Sequence, residues 1–309
     1  MLRNLYYLLF SKHPNLVLLK LLLWITIVYV IVHIYNKYNG PVKPEGFSNV
    51  EPFVIKTDDD MYDDFTISMY EILHNYTIRN DKELIEIIHL TNPTNDSIFL
   101  EIGCGSGKGV YELQEADYNV FGLERSQALI KHGIKKSPDI EISCGDGYDP
   151  MTYEKGTFTH VLCRYFTIYD YEDKSKLFRN CYFWMKPGGY LVVHLVDTDH
   201  FTKVVACSDA NVKTEVRPQN NRLLTTTVDL GDYTYTNKLA IENNTIMEET
   251  FTNKETKTVR QHDNKMFIET INDIVSYAQN SGFVLHSYVS INKCINDNYQ
   301  YFYVFERTM

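Results

Sequence analysis

The sequence predicts an α/β fold built on a largely parallel sheet, and three observations carry that expectation. Between residues 99 and 196, short apolar runs alternate with stretches of helical character, the pattern of strand–helix–strand units. The first run, Phe99-Leu100-Glu101-Ile102, empties into Gly103-Cys104-Gly105-Ser106-Gly107, three glycines at alternate positions before a helix start. Glycine lacks a Cβ, so such a turn takes positive φ and lets a ligand lie against the backbone. Acids, Glu124 and Asp146, follow the next two predicted strands, on the edge where parallel sheets open onto a ligand crevice.

Two phosphate-binding readings of the glycine stretch fail by letter. A P-loop needs Gly at position 102 and Ser or Thr at 109, where the chain has Ile102 and Gly109. A dinucleotide fingerprint needs Gly at Lys108 or at Val110, depending on its anchor.

The chain has 309 residues, 44% of them apolar, with net charge −10. That suffices for one large domain and an appendage. The acidity argues against nucleic acid as a partner, because neutralising phosphates takes clustered Lys and Arg. Six scattered cysteines form no C-x-x-C pair, which points away from a zinc module or a disulfide framework and toward a reducing compartment.

Taken in order, residues 16–35 hold one firm charge, Lys20, and about 20 apolar residues span a bilayer core. No small-residue cleavage site follows, the first alanine being Ala116. A membrane anchor over 1–37 is expected, then a linker over 38–56 rich in Pro and Gly, then the main domain over 57–309. The partner of the anchor is a membrane, crossed once. The chemistry read below needs a cytosolic cofactor, which places the domain in the cytosol.

Asp58-Asp59-Asp60 open an amphipathic helix with Met61, Phe65, Met69 and Ile72 on one face. A second helix runs over about 81–90. After the glycine stretch come a helix to Glu115, a strand over 118–123 ending at Glu124, a helix over 126–135, and a short strand over 140–143 before Cys144-Gly145-Asp146-Gly147. In a nucleoside-binding sheet, an acid at the end of the second strand takes the ribose hydroxyls, which suits Glu124; a surface helix cap is the alternative. Asp146 is equally readable as a turn residue beside glycines.

Residues 158–163 form a fourth strand, ending at Cys163 and running into the aromatic loop from Arg164 to Tyr171. Aromatic faces attract a positive charge, and a loop packed on the next helix is the other reading. A helix over 173–185 stops at Lys186-Pro187-Gly188-Gly189 before a strand over 190–196. Four Thr- and Tyr-rich extended segments lie between 223 and 262, so an antiparallel insertion is expected over about 202–266, serving as a substrate lid or a dimerisation sheet. A helix over 267–280 and a final hairpin of 284–291 with 299–305 close the chain.

The run E-I-G-C-G-S-G resembles the first motif of the class I methyltransferases that use S-adenosylmethionine. The run W-M-K-P-G-G-Y-L-V-V-H resembles that family's turn before its fifth strand, and Ser281-Gly282-Phe283 its turn into the sixth. The glycine run, Glu124, Asp146 and the Lys186-Pro187-Gly188-Gly189 turn are four separated motifs in the family's order, over about Phe99 to Val196. The resemblance implies a Rossmann-like sheet of seven strands, six parallel and one antiparallel, with S-adenosyl-L-methionine as cofactor. It also implies a cofactor site made of Glu101, Gly103, Cys104, Gly105 and Gly107 under the methionine end, Glu124 at the ribose, Asp146 and Gly147 at the adenine, and Cys163 at the next strand end. Tyr62, near the start of the first helix, matches the tyrosine that touches the ligand in many members. Many members have Asp where this chain has Glu101, which keeps the charge with one more methylene. No metal is called for.

Methyl transfer from a sulfonium is an in-line displacement that needs alignment and desolvation more than a catalytic side chain. If a base helps, His194 is the candidate, although a lone strand His is also an ordinary core residue. Tyr165 and Tyr169 are candidates to shape the acceptor pocket. The acceptor is unnamed: small molecule, lipid or protein. The oligomeric state is not encoded in any motif. The alternative function is a binding module of the same fold, anchored to a membrane and without turnover.

Overall fold

A computed structural model describes residues 24–31, 52–73, 77–201, 218–219, 222–223, 225–240, 245–295 and 297–308. The chain divides into two compact units, Met1–Glu45 and Gly46–Met309.

The first unit corrects the expected membrane anchor. Residues 24–31 are helical. Among the described residues no helix is long and apolar enough to cross a membrane. The remainder of the expected span, 16–23 and 32–35, lies outside the described residues. The single-pass membrane localisation read from the apolar run is therefore withdrawn.

The second unit is built on a seven-stranded sheet. Its parallel core is β2 (Ile98–Ile102), β3 (Asn119–Glu124), β4 (Ile142–Cys144), β5 (Phe158–Cys163) and β6 (Met185–Val196). The hairpin of β13 (Phe283–Ser290) and β14 (Gln300–Arg307) completes it in the order β13-β14-β6-β5-β2-β3-β4, with β14 antiparallel to both neighbours. This is the Rossmann-like arrangement expected, one antiparallel strand in seven. The strand order reverses at β2, so its carboxyl end and that of β5 flank a natural crevice.

Helices cover both faces because these strands are apolar on both sides. On one face α2 (Thr77–Thr91) and α3 (Lys108–Glu115) bury Leu84, Ile87, Val110 and Leu113 against Phe99, Val120, Leu162 and Val192. On the other, α5 (Lys174–Trp184) and α6 (Ile271–Asn280) pack Phe178, Trp184 and Ile274 into a cluster with Leu100, Val161, Leu191 and Phe305. The helix α4 (Gln127–Lys136) follows β3, its first turn capped by the Ser126 hydroxyl, which accepts from the Leu129 N–H. Lys186 to Gly189 are not a separate turn. They bulge from β6, whose pairing with β5 jumps from Phe158–Met185 to His160–Tyr190, with Gly188 at φ 75°.

A second, five-stranded sheet has the order β1-β12-β11-β10-β9. Four strands come from the expected insertion: β9 (Thr225–Asp229), β10 (Tyr233–Ala240), β11 (Thr245–Asn253) and β12 (Val259–Met266). Two further two-residue strands, β7 (Pro218–Gln219) and β8 (Arg222–Leu223), pair with each other; residues 202–217 lie outside the described set. The fifth strand was not expected. The strand β1 (Phe53–Thr57) falls almost wholly in the predicted linker and pairs in parallel with β12, because an extended segment finds a partner edge roughly 200 residues away in sequence. The first helix also starts later than predicted: a short 3-10 turn, Asp58–Met61, precedes α1 (Asp64–Leu73). Phe65, Met69 and Leu73 of α1 pack on Val228, Tyr233, Tyr235 and Phe251 of the second sheet.

Candidate active site

The crevice begins with the glycine turn between β2 and α3. Gly103, Gly105 and Gly107 have φ of 65°, 59° and 76°, a region that side chains with a Cβ avoid. The N–H groups of Gly103 and Cys104 both donate to the Leu123 carbonyl, at 2.8 and 3.3 Å, which clamps the turn to the end of β3. A Cβ on Gly105 would stand 2.5 Å from the Tyr70 hydroxyl. The backbone here is bare because α1 comes down onto it.

Beside the turn, the Glu124 carboxylate accepts from the N–H of Gly105 at 2.9 Å through Oε2 and from that of Ser126 at 2.8 Å through Oε1. Burial pushes its pKa up, and these two donors pull against that. Each oxygen keeps a second lone pair, so the group can accept further hydrogen bonds from a diol.

Beneath the turn lies a charge pair that no sequence motif announces. Arg164, immediately after β5, donates through Nε to Glu101 Oε1 at 2.8 Å, and its Nη2 lies 2.6 Å from the same oxygen. Its Nη1 donates to Asn80 Oδ1 at 2.6 Å. Burial disfavours both charges; it pushes the Glu101 carboxyl up, while the guanidinium is held cationic by Glu101 and its neighbours. Asn80, on α2, also accepts from the Tyr165 hydroxyl at 3.0 Å and donates to Glu112 Oε2. Burial, with Asp81 nearby, raises the pKa of the Glu112 carboxyl to about 7. Tyr165 itself has φ 53° and lies between two guanidinium groups, Arg79 at 4.8 Å and Arg164 at 5.2 Å from its ring centre.

These parts converge on a cleft of about 570 Å³. Of the residues singled out in the sequence, Tyr62, Glu101, Gly103, Cys104, Gly105, Gly107, Glu124 and Tyr165 line it. The Cys104 thiol is pushed well up by burial and stays protonated. Four other candidates do not line it. Asp146 follows the lining residue Gly145, and its Oδ1 accepts from the Tyr148 N–H at 2.9 Å. Gly147 is buried, its carbonyl accepting from Asn180 Nδ2; Cys163 is buried in the main core. Tyr169 is fully buried, its hydroxyl accepting from the Val196 N–H at 2.9 Å.

His194 is also outside the cleft wall. It is 0% exposed, with Nδ1 donating to the Tyr165 carbonyl and Nε2 at 2.8 Å from Gln300 Oε1. Burial holds its pKa well below the ordinary histidine value. It braces the Tyr165 backbone at its positive φ.

Sequence reasoning missed Tyr70, Asn80, Arg164 and Asp170, all of which line the cleft. Arg164 had a local signal, a lone cation directly after an apolar strand. Tyr70 and Asn80 had none, because their role arises only when α1 and α2 pack beside the turn.

Comparison with known proteins agrees with this geometry. Residues 100–193 match the family described as a methyltransferase domain. A phosphoethanolamine N-methyltransferase of Triticum aestivum is 30% identical over 121 residues, covering 38% of this chain and 23% of that one. A cypemycin N-terminal methyltransferase of a Streptomyces species is 23% identical over 150 residues, covering 48% and 61%. The chain thus spans under a quarter of the length of the phosphoethanolamine enzymes it matches. Among solved structures, a S-adenosylmethionine-dependent methyltransferase from Clostridium acetobutylicum superposes with TM-score 0.59 at 15% identity, covering 79% of this chain and 98% of that one. A S-adenosylmethionine-bound amino pentose methyltransferase from Micromonospora echinaspora gives 0.55 at 18%, covering 79% and 97%. At these identities the structural likeness is one of fold. Residues 100–193 thus match a methyltransferase domain, and the chain shares the fold of solved S-adenosylmethionine-dependent methyltransferases.

Proposed function

We propose that this chain transfers a methyl group from S-adenosylmethionine to the nitrogen of a small-molecule amine. The observation that carries the reading is the composition of the cleft. Its lining combines a glycine turn and the Glu124 carboxylate with Tyr62, Tyr165, Phe166, Tyr171 and the Asp170 carboxylate. The relatives support the nitrogen: their names describe N-methylation of phosphoethanolamine, of a peptide N-terminus and of an amino sugar nucleotide.

The residues present fit the cofactor. The positive-φ glycines line the cleft in a tight turn that a Cβ would break by colliding with Thr167, Tyr70 or Ile142, and Glu124 retains acceptor capacity for ribose hydroxyls. Asp146, beside the lining residue Gly145, is our candidate for the adenine amino group. When bound, the cofactor supplies an electrophilic methyl group on a sulfonium. The chain's own contribution is to hold and dry the site. The aromatic walls exclude water and favour positive charge, and the glycine turn fixes one end of the ligand. Asp170 attracts an ammonium into the cleft and takes the proton that must leave before nitrogen has a lone pair to donate.

The test is calorimetry of S-adenosylhomocysteine with the full chain, followed by labelled methyl transfer to a panel of amines, alcohols and phenols. Binding with transfer to amines is expected. Transfer to oxygen acceptors and to none of the amines would overturn the nitrogen assignment. Binding without transfer to any acceptor would favour the module without turnover.

A further inference from the structure

The second sheet is the largest element the cleft does not use directly. Among the described residues, none from β9 to β12 lines the cleft. It meets the site through residues 62–70. Tyr62 and Tyr70 line the cleft, while Phe65 and Met69 between them pack on the sheet. The Phe65 ring meets Tyr233 and Phe251 edge-on at 5.3 and 5.2 Å.

Apolar packing is non-directional and leaves a helix free to slide by fractions of a turn. One polar side chain removes that freedom. Arg260, on β12, is 3% exposed. Its Nη2 donates to Asp63 Oδ2 at 2.6 Å, its Nε donates to His262 Nε2 at 2.7 Å, and its guanidinium lies 4.8 Å from the centre of the Phe65 ring. Asp63 is the neighbour of Tyr62, and its Oδ1 accepts from the Thr66 N–H at 3.2 Å, closing the first turn of α1. The parallel pairing of β1 with β12 holds the same turn from the other side, with Lys56 opposite His262 and Thr57 opposite Asp263. Both cleft carboxylates act on Tyr62, a lining residue: burial, then Asp170 and Glu124, push its phenol pKa up.

The geometry points to Arg260 as a positioning residue that sets the placement of Tyr62 over the cofactor cleft from the second sheet. The inference rests on the methyltransferase reading of the cleft and is independent of the acceptor. A lysine cannot replace it, since an ammonium does not supply three directed contacts from one planar fork.

The experiment measures S-adenosylhomocysteine affinity by calorimetry on the full chain. The variants are Arg260→Met, Asp63→Asn, Tyr62→Ala and the double variant Arg260→Met/Tyr62→Ala. Arg260→Met is expected to weaken binding about tenfold, within the usual range for coupled sites. Asp63→Asn, at a side chain 39% exposed, breaks the same pair from its other end and is expected to weaken binding in the same direction even where Arg260→Met fails to fold. In the Tyr62→Ala background, Arg260→Met is expected to change affinity by no more than about twofold, because its effect passes through Tyr62. A purely structural arginine would give full additivity, and that result overturns the inference. Unchanged affinity in Arg260→Met, with the parent chain binding normally, also overturns it. A parent chain that does not bind the probe at all would overturn the cofactor reading, and the inference with it.

Discussion

Arg164 and Glu101 meet where the main sheet reverses its strand order. Glu101 lies near the end of β2 and Arg164 just past the end of β5, and the guanidinium reaches the same carboxylate oxygen with two nitrogens, at 2.8 and 2.6 Å. The pair is buried under the glycine turn, and a Cβ on Gly109 would lie 1.9 Å from Arg164 Nη2. The acid of the glycine motif is thus fixed from below, and α3 runs directly over the pair.

Removing one charge from this pair strands the other. Arg164→Met is expected to destabilise the fold by about 3–5 kcal/mol in urea unfolding. The double variant Arg164→Met/Glu101→Gln is expected to recover a large part of that loss. A single variant within 1 kcal/mol of the parent, by roughly the error of such measurements, would show that the pair is dispensable.

Gly105 is set by its backbone and by Tyr70. Gly105→Ala forces a Cβ into φ 59° and toward the Tyr70 hydroxyl, at a cost of about 1–2 kcal/mol for the backbone alone. Loss of S-adenosylhomocysteine binding by at least about tenfold is expected, with far-UV circular dichroism unchanged. Tyr70→Phe in the same chain relieves the contact but not the φ, so partial recovery of affinity is the expected calorimetric result.

His262 gives a pH signature. Its Nε2 accepts from Arg260, so the ring is neutral there, and burial with the nearby Arg260 charge lowers its pKa to about 4. The unfolded chain takes a proton near pH 6.5, which the folded chain refuses until about pH 4. The contribution is therefore complete above pH 6.5 and is lost as pH falls toward 4. Denaturation of the parent and of His262→Gln at pH 7 and pH 4 should show the gap between them shrinking by about 3 kcal/mol. A gap independent of pH would mean that His262 titrates normally in the folded state.

Asp170 separates acceptor from cofactor. Asp170→Asn is expected to raise KM for an amine acceptor about tenfold or more while leaving S-adenosylhomocysteine affinity within about twofold. Equal losses in both would assign the carboxylate to the cofactor.

The main sheet was legible in the sequence because its signals are local. The glycine turn, the acid closing β3, the Gly-Gly before the long stretch of β6 and the aromatic alternation of β14 all lie within a few residues of what they specify. The strand β1 was not, since Phe53 to Thr57 are extended only by virtue of β12, far along the chain. His194 shows the same limit at a single residue: its strand position was readable, but the Tyr165 carbonyl and Gln300 that occupy its two nitrogens were not.

The pairing of β1 with β12 also dictates an order of assembly. Roughly 200 residues separate Thr57 from Val259. At the usual pace of synthesis, of order 5–20 residues per second, the segment bearing Tyr62 and Tyr70 waits about 10–40 s on the ribosome before its partner strand exists. Meanwhile the glycine turn and the parallel strands beside it are already available to collapse. The roof of the cleft is therefore fixed late, shortly before the C-terminal hairpin of β13 and β14 is made, and a nascent chain interrupted before β12 would carry an open, unroofed floor.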